Sequence, residues 1–368
     1  MGISKPSGKK IIYVEILRII AILFVIFNHT GDDGFTLFAG YYGTGSLCYW
    51  FFMMISIIIR VNVPLFLMIS GMLLLGKDET ISYIWKKRIP FYAVALAVFS
   101  FINYFRSVGY NISSFSLFDF AKKLYTGSIA MPYWYIYLYI AFLIALPFLR
   151  SVAKELSEKR VIYLLILQLL FNGILVIIQF LVAKKNGEYE YHINPAMLTA
   201  DVVFYPLIGY YLGNKVKKIK GKNVLVFAGL SVISVAISMF MTWFKYFHIG
   251  ETGDVTKPFF DALRAITSIF VFLLVRFIFE ERKMPYMVEK ALFSFGGCVF
   301  GIYLIEEIVK MDLWFIFENM TCGKPDMFLL WVYILIVFFV SFAIVWPVKF
   351  LFGSLKKLMF RKTSPDNK

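Results

Sequence analysis

The 368-residue chain has few charged residues, few cysteines and few histidines. Charged residues make up 17% of the sequence and apolar residues 60%, whereas an ordinary soluble domain has about 25% charged and about 45–50% apolar residues. The three cysteines include no Cys-x-x-Cys pair and no Cys/His ligand spacing, which argues against both a disulfide framework and a zinc site. The composition excludes an ordinary soluble domain, and we predict no metal site.

Long apolar runs recur from one end of the chain to the other. Most are close to the length of about 20 residues that a membrane-spanning helix needs, while the second and last are longer and the sixth is shorter. The first run contains charges and is followed by no small-residue cleavage site, so we predict a retained helix and not a signal peptide. The fold predicted is an all-α, polytopic integral membrane protein with about ten transmembrane helices. The predicted spans are residues 11–30, 47–75, 89–106, 133–149, 161–182, 199–213, 223–242, 262–279, 291–310 and 328–352.

The second and the last predicted spans are too long for a single crossing, and the second contains a break. The run 47–75 exceeds a hydrocarbon core of about 30 Å when it is built as one straight helix. Pro64 lacks an N–H donor and restricts the residue before it, so we predict a break near Asn62. Arg60 is then placed in the outer half of the bundle, although it can also extend to the outer headgroups.

Basic residues alternate between the connections. Alternate connections and both ends hold 24 Lys and Arg residues, and the other connections hold 7. The positive-inside rule therefore places both termini in the cytoplasm. The positive-inside pattern accounts for the net charge of +15, because the basic residues are concentrated in the predicted cytoplasmic connections. We therefore expect no nucleic-acid partner. Since the connections are short, we predict one transmembrane domain over residues 1–368, with cytoplasmic tails at 1–10 and 353–368 and no appended soluble domain.

The first predicted helix carries three ionisable side chains, Glu15, Arg18 and His29. An arginine at the centre of a spanning helix costs roughly 2.5–3.5 kcal/mol on insertion scales, so a compensating role is expected. The helical repeat places Arg18 and His29 on one face, roughly 16 Å apart along the axis. Glu15 lies three residues before Arg18 and can pair with it. Two interpretations remain: a self-neutralising ion pair with an interfacial histidine, or a cavity lined by a basic anchor and a titratable imidazole.

The spacing Arg18-x10-His29 resembles the signature of the acyltransferase 3 family. Members of that family are membrane proteins that move acyl groups from cytoplasmic acyl-CoA to sugars of surface polysaccharides and cell-wall glycans. The likeness covers nearly the whole chain. Five further segments are similar to family landmarks: "VPLFLMISGMLLL" (63–75), "WKKRIPF" (85–91), "YWYIYLYIAFLIALPFLR" (133–150), "FYPLIGYYLG" (204–213) and "FGIYLIEE" (300–307).

The resemblance implies a role for each candidate site residue. The acyl donor is acyl-CoA, most often acetyl-CoA with succinyl-CoA as a minority, and no metal takes part. The catalytic candidates are His29, Arg18 and Glu15. The candidates for binding acyl-CoA are Lys86, Lys87, Arg88, Arg18, Ser70 and Gly71, of which the basic residues suit the CoA phosphates. The candidates on the acceptor side are Arg60, Trp134, Tyr135 and Glu306. The lysines also fit ordinary positive-inside charge, and the aromatic residues fit an interfacial belt.

The chain departs from the family pattern at three points. The family often has Asp where this chain has Glu15, a change that keeps the charge. The family often has a histidine shortly before the Trp-Tyr pair, where this chain has "MPYWY", and another after "IYL", where it has Glu306. His29 is thus the only histidine in a predicted span, with Glu306 as its candidate carboxylate partner. The imidazole can act as a general base or carry the acyl group covalently. We expect His29→Ala to abolish acyl transfer without stranding a buried charge.

Two classes of function fit these residues. The first is acyl transfer from cytoplasmic acyl-CoA to a hydroxyl of a surface polysaccharide or cell-wall glycan, in a multi-pass protein of the bacterial plasma membrane. Its partners are membrane lipids and a glycan or lipid-linked saccharide. The second is transport, since buried Arg, Glu and His also serve transporters or flippases of lipid-linked sugars and small solutes. A family member that has lost its chemistry is a further alternative.

Overall fold

The computed structural model describes residues 11–127, 129–183, 196–249, 263–321 and 326–361. All regular structure in these ranges is helical. Helices suit an apolar solvent because each satisfies its own backbone hydrogen bonds. Cys322 and the predicted tail at 1–10 lie outside the described residues.

Sixteen α-helices follow one another along the described parts of the chain, and π-helical turns at Ile84–Arg88, Leu170–Ile174 and Tyr211–Lys215 extend three of them. The helices are α1 Ile12–Asn28, α2 Leu47–Ile59, α3 Asn62–Leu74, α4 Ile81–Tyr83, α5 Ile89–Ser107, α6 Leu117–Thr126, α7 Trp134–Lys154, α8 Glu158–Leu169, α9 Leu175–Ala183, α10 Ala196–Thr199, α11 Asp201–Tyr210, α12 Gly221–Ile249, α13 Arg264–Phe279, α14 Tyr286–Asp312, α15 Trp314–Thr321 and α16 Met327–Arg361.

Every predicted span coincides with helix, but only seven helical segments among the described residues are long and apolar enough to cross a membrane. The helices at the first, sixth and eighth predicted spans, α1, α11 and α13, have 17, 10 and 16 residues. The structure therefore supports a multi-pass membrane protein, while the count of ten stays a prediction. The seven candidates are Leu47–Leu74, Ile81–Ser107, Met131–Lys154, Glu158–Val182, Gly221–Lys245, Tyr286–Asp312 and Met327–Phe350.

The predicted break near Asn62 is confirmed. Helix α2 ends at Ile59, and α3 begins at Asn62. The Asn62 side chain accepts a hydrogen bond from the backbone N–H of Val63 at 2.6 Å and donates one to the carbonyl of Phe24 at 3.4 Å. The broken run is thereby tied to α1.

Helix α1 lies at the centre of the bundle. It contacts α2, α3, α13, α14 and α16, and residues such as Leu17, Ile22 and Phe27 are completely buried. Glu15 and His29 both meet α14, at Gly296 and Glu306 respectively. Since residue numbers rise together on the two helices, α1 and α14 run parallel, and one face of α1 follows α14 along its length.

Helices α3 and α11 approach each other closely. A Cβ atom at Gly71 would lie 2.0 Å from the backbone oxygen of Pro206, and one at Gly209 would lie 2.0 Å from that of Met68. Small residues at such a crossing let two membrane helices come into backbone contact. Gly71 therefore serves helix packing, which sets the position of the remainder of α3.

Candidate active site

His29 and Glu306 form a buried pair that joins the end of α1 to α14. His29 follows the last residue of α1 as its C-cap. Its Nδ1 atom lies 2.7 Å from Oε1 of Glu306, and the two side chains are 6% and 0% exposed. This confirms Glu306 as the carboxylate partner of the imidazole. A carboxylate can only accept a hydrogen bond, so the pair favours the tautomer with its proton on Nδ1 and leaves Nε2 as an acceptor.

A second charged pair supports the first. Lys310, one turn beyond Glu306 on α14, donates a hydrogen bond to the backbone oxygen of His29. Its Nζ atom also lies 2.8 Å from Oε2 of Glu307. A cation at the last carbonyls of a helix is favourable because it opposes the negative end of the helix dipole. Lys310 therefore holds the end of α1 in position against α14.

Three side chains of this cluster have the spacing of metal ligands. His29, Glu306 and Glu307 each offer one ligand atom, and these atoms lie within 4.8 Å of one another. The Lys310 ammonium already stands beside Glu307 and partly balances the two carboxylates. The distances alone would admit a divalent cation, so our prediction of a metal-free site needs a direct test.

The other end of the α1 face carries the predicted Glu15–Arg18 pair, which is confirmed. Nη1 of Arg18 donates to Oε1 of Glu15 at 2.8 Å and to Oε2 at 3.1 Å. The Glu15 carboxylate rests against Gly296, where a Cβ atom would lie only 2.0 Å from Oε2 of Glu15. The absence of a side chain at Gly296 therefore makes room for the carboxylate that orients Arg18.

A cavity of about 450 Å³ begins beside Arg18 and runs between α1, α3, α5, α7 and α14. The lining changes in character along its length. One end, which we call the basic end, carries Arg18, Lys77 and Arg88, and the other end carries the aromatic residues Phe66, Tyr135 and Tyr303. The predicted combination of a basic anchor with a cavity is therefore present, and the basic end has the charge to hold phosphate groups.

Glu79 and two arginines fix the rim of the basic end. The carboxylate of Glu79 accepts hydrogen bonds from Nε of Arg88 at 2.8 Å and from Nη2 of Arg150 at 2.9 Å. These guanidinium groups, Arg88 above all, lower the pKa of Glu79 from 4.5 to about 2, although partial burial of the carboxylate opposes the change. Because two guanidinium groups share one carboxylate, a net positive charge remains at the rim.

The structure separates the predicted acyl-CoA ligands into two groups. Arg18, Arg88 and Ser70 line the cavity. The side chains of Lys86 and Lys87, on the π-helical turn before α5, are exposed, and these residues do not line it. Gly71, also outside the lining, packs against α11 as described above.

The predicted acceptor-side residues are likewise dispersed. Tyr135 lies at the aromatic end of the cavity, and Glu306 lies beside the imidazole of His29. Trp134 is 44% exposed and packs edge-on against Tyr135. The Arg60 guanidinium lies 5.8 Å from the centre of the Phe35 ring and is absent from the cavity lining, so the structure does not bring it into the cavity.

A family match covers this whole arrangement. The model of the acyltransferase domain, Acyl_transf_3, matches residues 11–350, which is nearly the entire chain. The chain belongs to the acyltransferase 3 family. The resemblance drawn from Arg18 and His29 is thus confirmed. No curated protein and no solved structure matches this acyltransferase 3 protein.

Sequence reasoning missed several residues that shape the site of this acyltransferase 3 protein. Lys310 follows Glu306 and Glu307 within one helical turn of an apolar segment. Three charged residues so close together in a predicted membrane helix indicate a functional site. Lys77 lay in the same basic connection as Lys86, Lys87 and Arg88. The remainder, which are Glu79, Arg150, Gly296, Phe66 and Tyr303, act through contacts between distant segments, and no local pattern marks them.

Proposed function

We propose that this protein transfers a short acyl group, most often acetyl, from cytoplasmic acyl-CoA to a hydroxyl of a surface polysaccharide or cell-wall glycan. The observation that carries the proposal is the buried imidazole of His29, whose Nδ1 lies 2.7 Å from the Glu306 carboxylate. Such a pair is suited to general-base catalysis because the carboxylate orients the ring and stabilises the imidazolium that forms. Family membership supports the reaction class.

The chemistry assigns His29 a direct part. Nε2 takes the proton of the sugar hydroxyl as its oxygen forms a bond to the thioester carbonyl carbon. The carbon–sulfur bond then breaks, and the proton passes to the departing CoA thiolate. In the covalent variant Nε2 attacks the thioester first, and the carbon–sulfur bond breaks to release the CoA thiolate. The sugar hydroxyl then attacks the acyl carbon, the bond to Nε2 breaks, and the hydroxyl proton replaces the one that the thiolate takes up from solvent.

The basic end of the cavity suits the donor. CoA carries several phosphate groups, and Arg18, Lys77 and Arg88 face one cavity with the charge to bind them. From Arg18 to His29 the rise along α1 is roughly 16 Å, a distance that the thin pantetheine arm has to cover for the thioester to reach the imidazole. Succinyl-CoA is the minor donor in this proposal.

The orientation that this scheme needs has both termini in the cytoplasm of a bacterial plasma membrane. Single cysteines introduced in a protein without native cysteines test it. Gly40 suits an outer probe because a side chain there meets no atom within 4 Å, whereas one at Gly34 would collide with Thr30. An impermeant thiol reagent added outside should label Gly40→Cys and spare Gly221→Cys, and the opposite pattern would overturn the orientation.

His29→Gln is the decisive variant. The expectation that His29→Ala strands no charge is wrong, because it leaves the fully buried Glu306 without its partner. Glutamine keeps an N–H donor for Glu306 but cannot act as a base. Purified protein with radiolabelled acetyl-CoA should release CoA and label a glycan acceptor, and His29→Gln should lower that rate by about 10²–10⁴-fold with an unchanged melting temperature.

Two results would contradict the proposal. A folded His29→Gln protein that transfers acetyl groups at the wild-type rate would remove His29 from the mechanism. Wild-type protein that releases no CoA from any acyl-CoA, yet takes up a lipid-linked sugar or solute in proteoliposomes, would favour the transport function.

A further inference from the structure

Three aromatic residues line the cavity at the end nearer the catalytic pair. The ring centres of Phe66 and Tyr135 lie 6.0 Å apart, and those of Tyr135 and Tyr303 lie 5.8 Å apart. All three residues line the cavity, and they come from three different helices, α3, α7 and α14. We call these three residues the aromatic collar.

The collar is the part of the cavity lining that lies nearest the catalytic pair. Tyr303 lies three residues before Glu306 on α14, so the collar is only about 4.5 Å below the catalytic carboxylate along the helix axis. Among the described residues, neither His29 nor Glu306 belongs to the cavity lining. A thioester bound from the basic end must therefore pass the collar before its carbonyl carbon can reach the imidazole.

The rings of the collar are held unequally. The hydroxyl of Tyr303 donates a hydrogen bond to the carbonyl of Pro132, which fixes this ring. Tyr135 contacts Phe66, Tyr303 and also Tyr139, whose ring centre lies 6.0 Å away. Because Tyr135 is in contact with both other members, a rotation of its ring opens the collar.

We propose that the aromatic collar selects for short, uncharged acyl groups, so that acetyl reaches His29 more readily than longer or anionic acyl groups do. This inference rests on the proposed function. An acetyl group adds one methyl to the thioester carbonyl, whereas each further methylene must also pass the contacting rings of Phe66, Tyr135 and Tyr303. A succinyl carboxylate would have to pass uncharged rings without a partner, which is costly in a medium of low polarity.

The first experiment measures CoA release from acetyl-, butyryl-, hexanoyl- and succinyl-CoA by purified protein. We expect wild type to prefer acetyl-CoA and Tyr135→Ala to raise the ratio of hexanoyl to acetyl turnover about tenfold, in line with the discrimination that a hydrophobic pocket achieves by shape. Tyr135→Phe keeps the ring and should keep the wild-type ratio. Tyr92→Ala is the matched control, because Tyr92 lines the same cavity but packs on Tyr139 and Phe300 below the collar.

The second experiment needs no turnover. In a protein without native cysteines, an impermeant methanethiosulfonate reagent is applied from the side of the basic end. It should label Ser70→Cys, whose parent residue lines the cavity, and should spare His29→Cys. Adding Tyr135→Ala should expose the cysteine at position 29 to the reagent.

The outcomes separate the two proposals. Equal turnover of all four acyl-CoA thioesters by wild type, or labelling of His29→Cys with the collar intact, would overturn the collar and leave acyl transfer standing. If folded wild-type protein releases no CoA from any of the four thioesters, the proposed acyl transfer is wrong, and the proposed acyl selection is wrong with it.

Discussion

Removing only the charge of Glu306 tests the pairing on which the mechanism depends. Glu306→Gln keeps the size of the side chain and an oxygen that can accept from Nδ1 of His29, but it cannot balance an imidazolium. Because Glu306 is fully buried, no solvent replaces the lost charge. We therefore expect a slower chemical step with an unchanged KM for acyl-CoA.

The structure sets the size of the effect. One hydrogen bond of 2.7 Å joins His29 to the carboxylate, and a bond to a charged group is worth about 1.5–3 kcal/mol. At 1.36 kcal/mol for each factor of ten, kcat should fall about 10- to 150-fold. Glu306→Ala should cost more, since it also frees the ring to turn.

The assay is CoA release under saturating acetyl-CoA, with melting temperature measured beside it. Glu307→Gln is the neighbouring control, because that carboxylate pairs with Lys310 and not with the imidazole, and its effect on kcat should stay below tenfold. Glu306→Gln turnover within twofold of wild type, in a protein whose His29→Gln variant is inactive, would refute the argument that the carboxylate assists the imidazole.

Three further predictions concern the rim, the basic end and metal dependence. Gly296→Ala should raise the KM for acyl-CoA several-fold because its Cβ displaces Glu15, whereas Gly297→Ala should change KM less, since its Cβ meets only the flexible end of Lys349. Glu79→Gln should lower the melting temperature at pH 7. Because the folded-state pKa of Glu79, about 2, lies below the ordinary 4.5, that difference should persist above pH 4.5 and shrink as the pH falls toward 2. Treatment with EDTA and 1,10-phenanthroline should leave CoA release unchanged.

Each of these has a contrary result. Equal KM values for the Gly296→Ala and Gly297→Ala variants would mean that the position of Glu15 does not affect acyl-CoA binding. A melting difference between Glu79→Gln and wild type that stays constant from pH 7 to pH 3 would mean that the carboxylate does not stabilise the fold through its charge. Loss of CoA release on chelation, restored by added Zn²⁺ or Mn²⁺, would make His29, Glu306 and Glu307 a metal site.

The sequence by itself determined what depends on local chemistry. Apolar runs of spanning length predict membrane helices because the hydrocarbon core demands internal hydrogen bonding of the backbone. The Glu15–Arg18 pair follows from a separation of three residues on one helix. The break before Asn62 follows from proline geometry, since Pro64 has no N–H for the carbonyl four residues before it and its effect stays within one helical turn.

The tertiary structure alone decided what depends on helices that are distant in the chain. His29 meets Glu306 across 277 residues, and no helical period relates the two positions. Arg88, predicted as a ligand of the CoA phosphates, also shares Glu79 with Arg150 because α7 passes the connection that follows α3. Gly71, predicted to bind acyl-CoA, lies where α11 packs against α3. Sequence patterns show which side chains are charged and which positions allow close packing. The packing of the helices determines which residues pair, because a buried polar group has no water as an alternative partner and must pair within the protein.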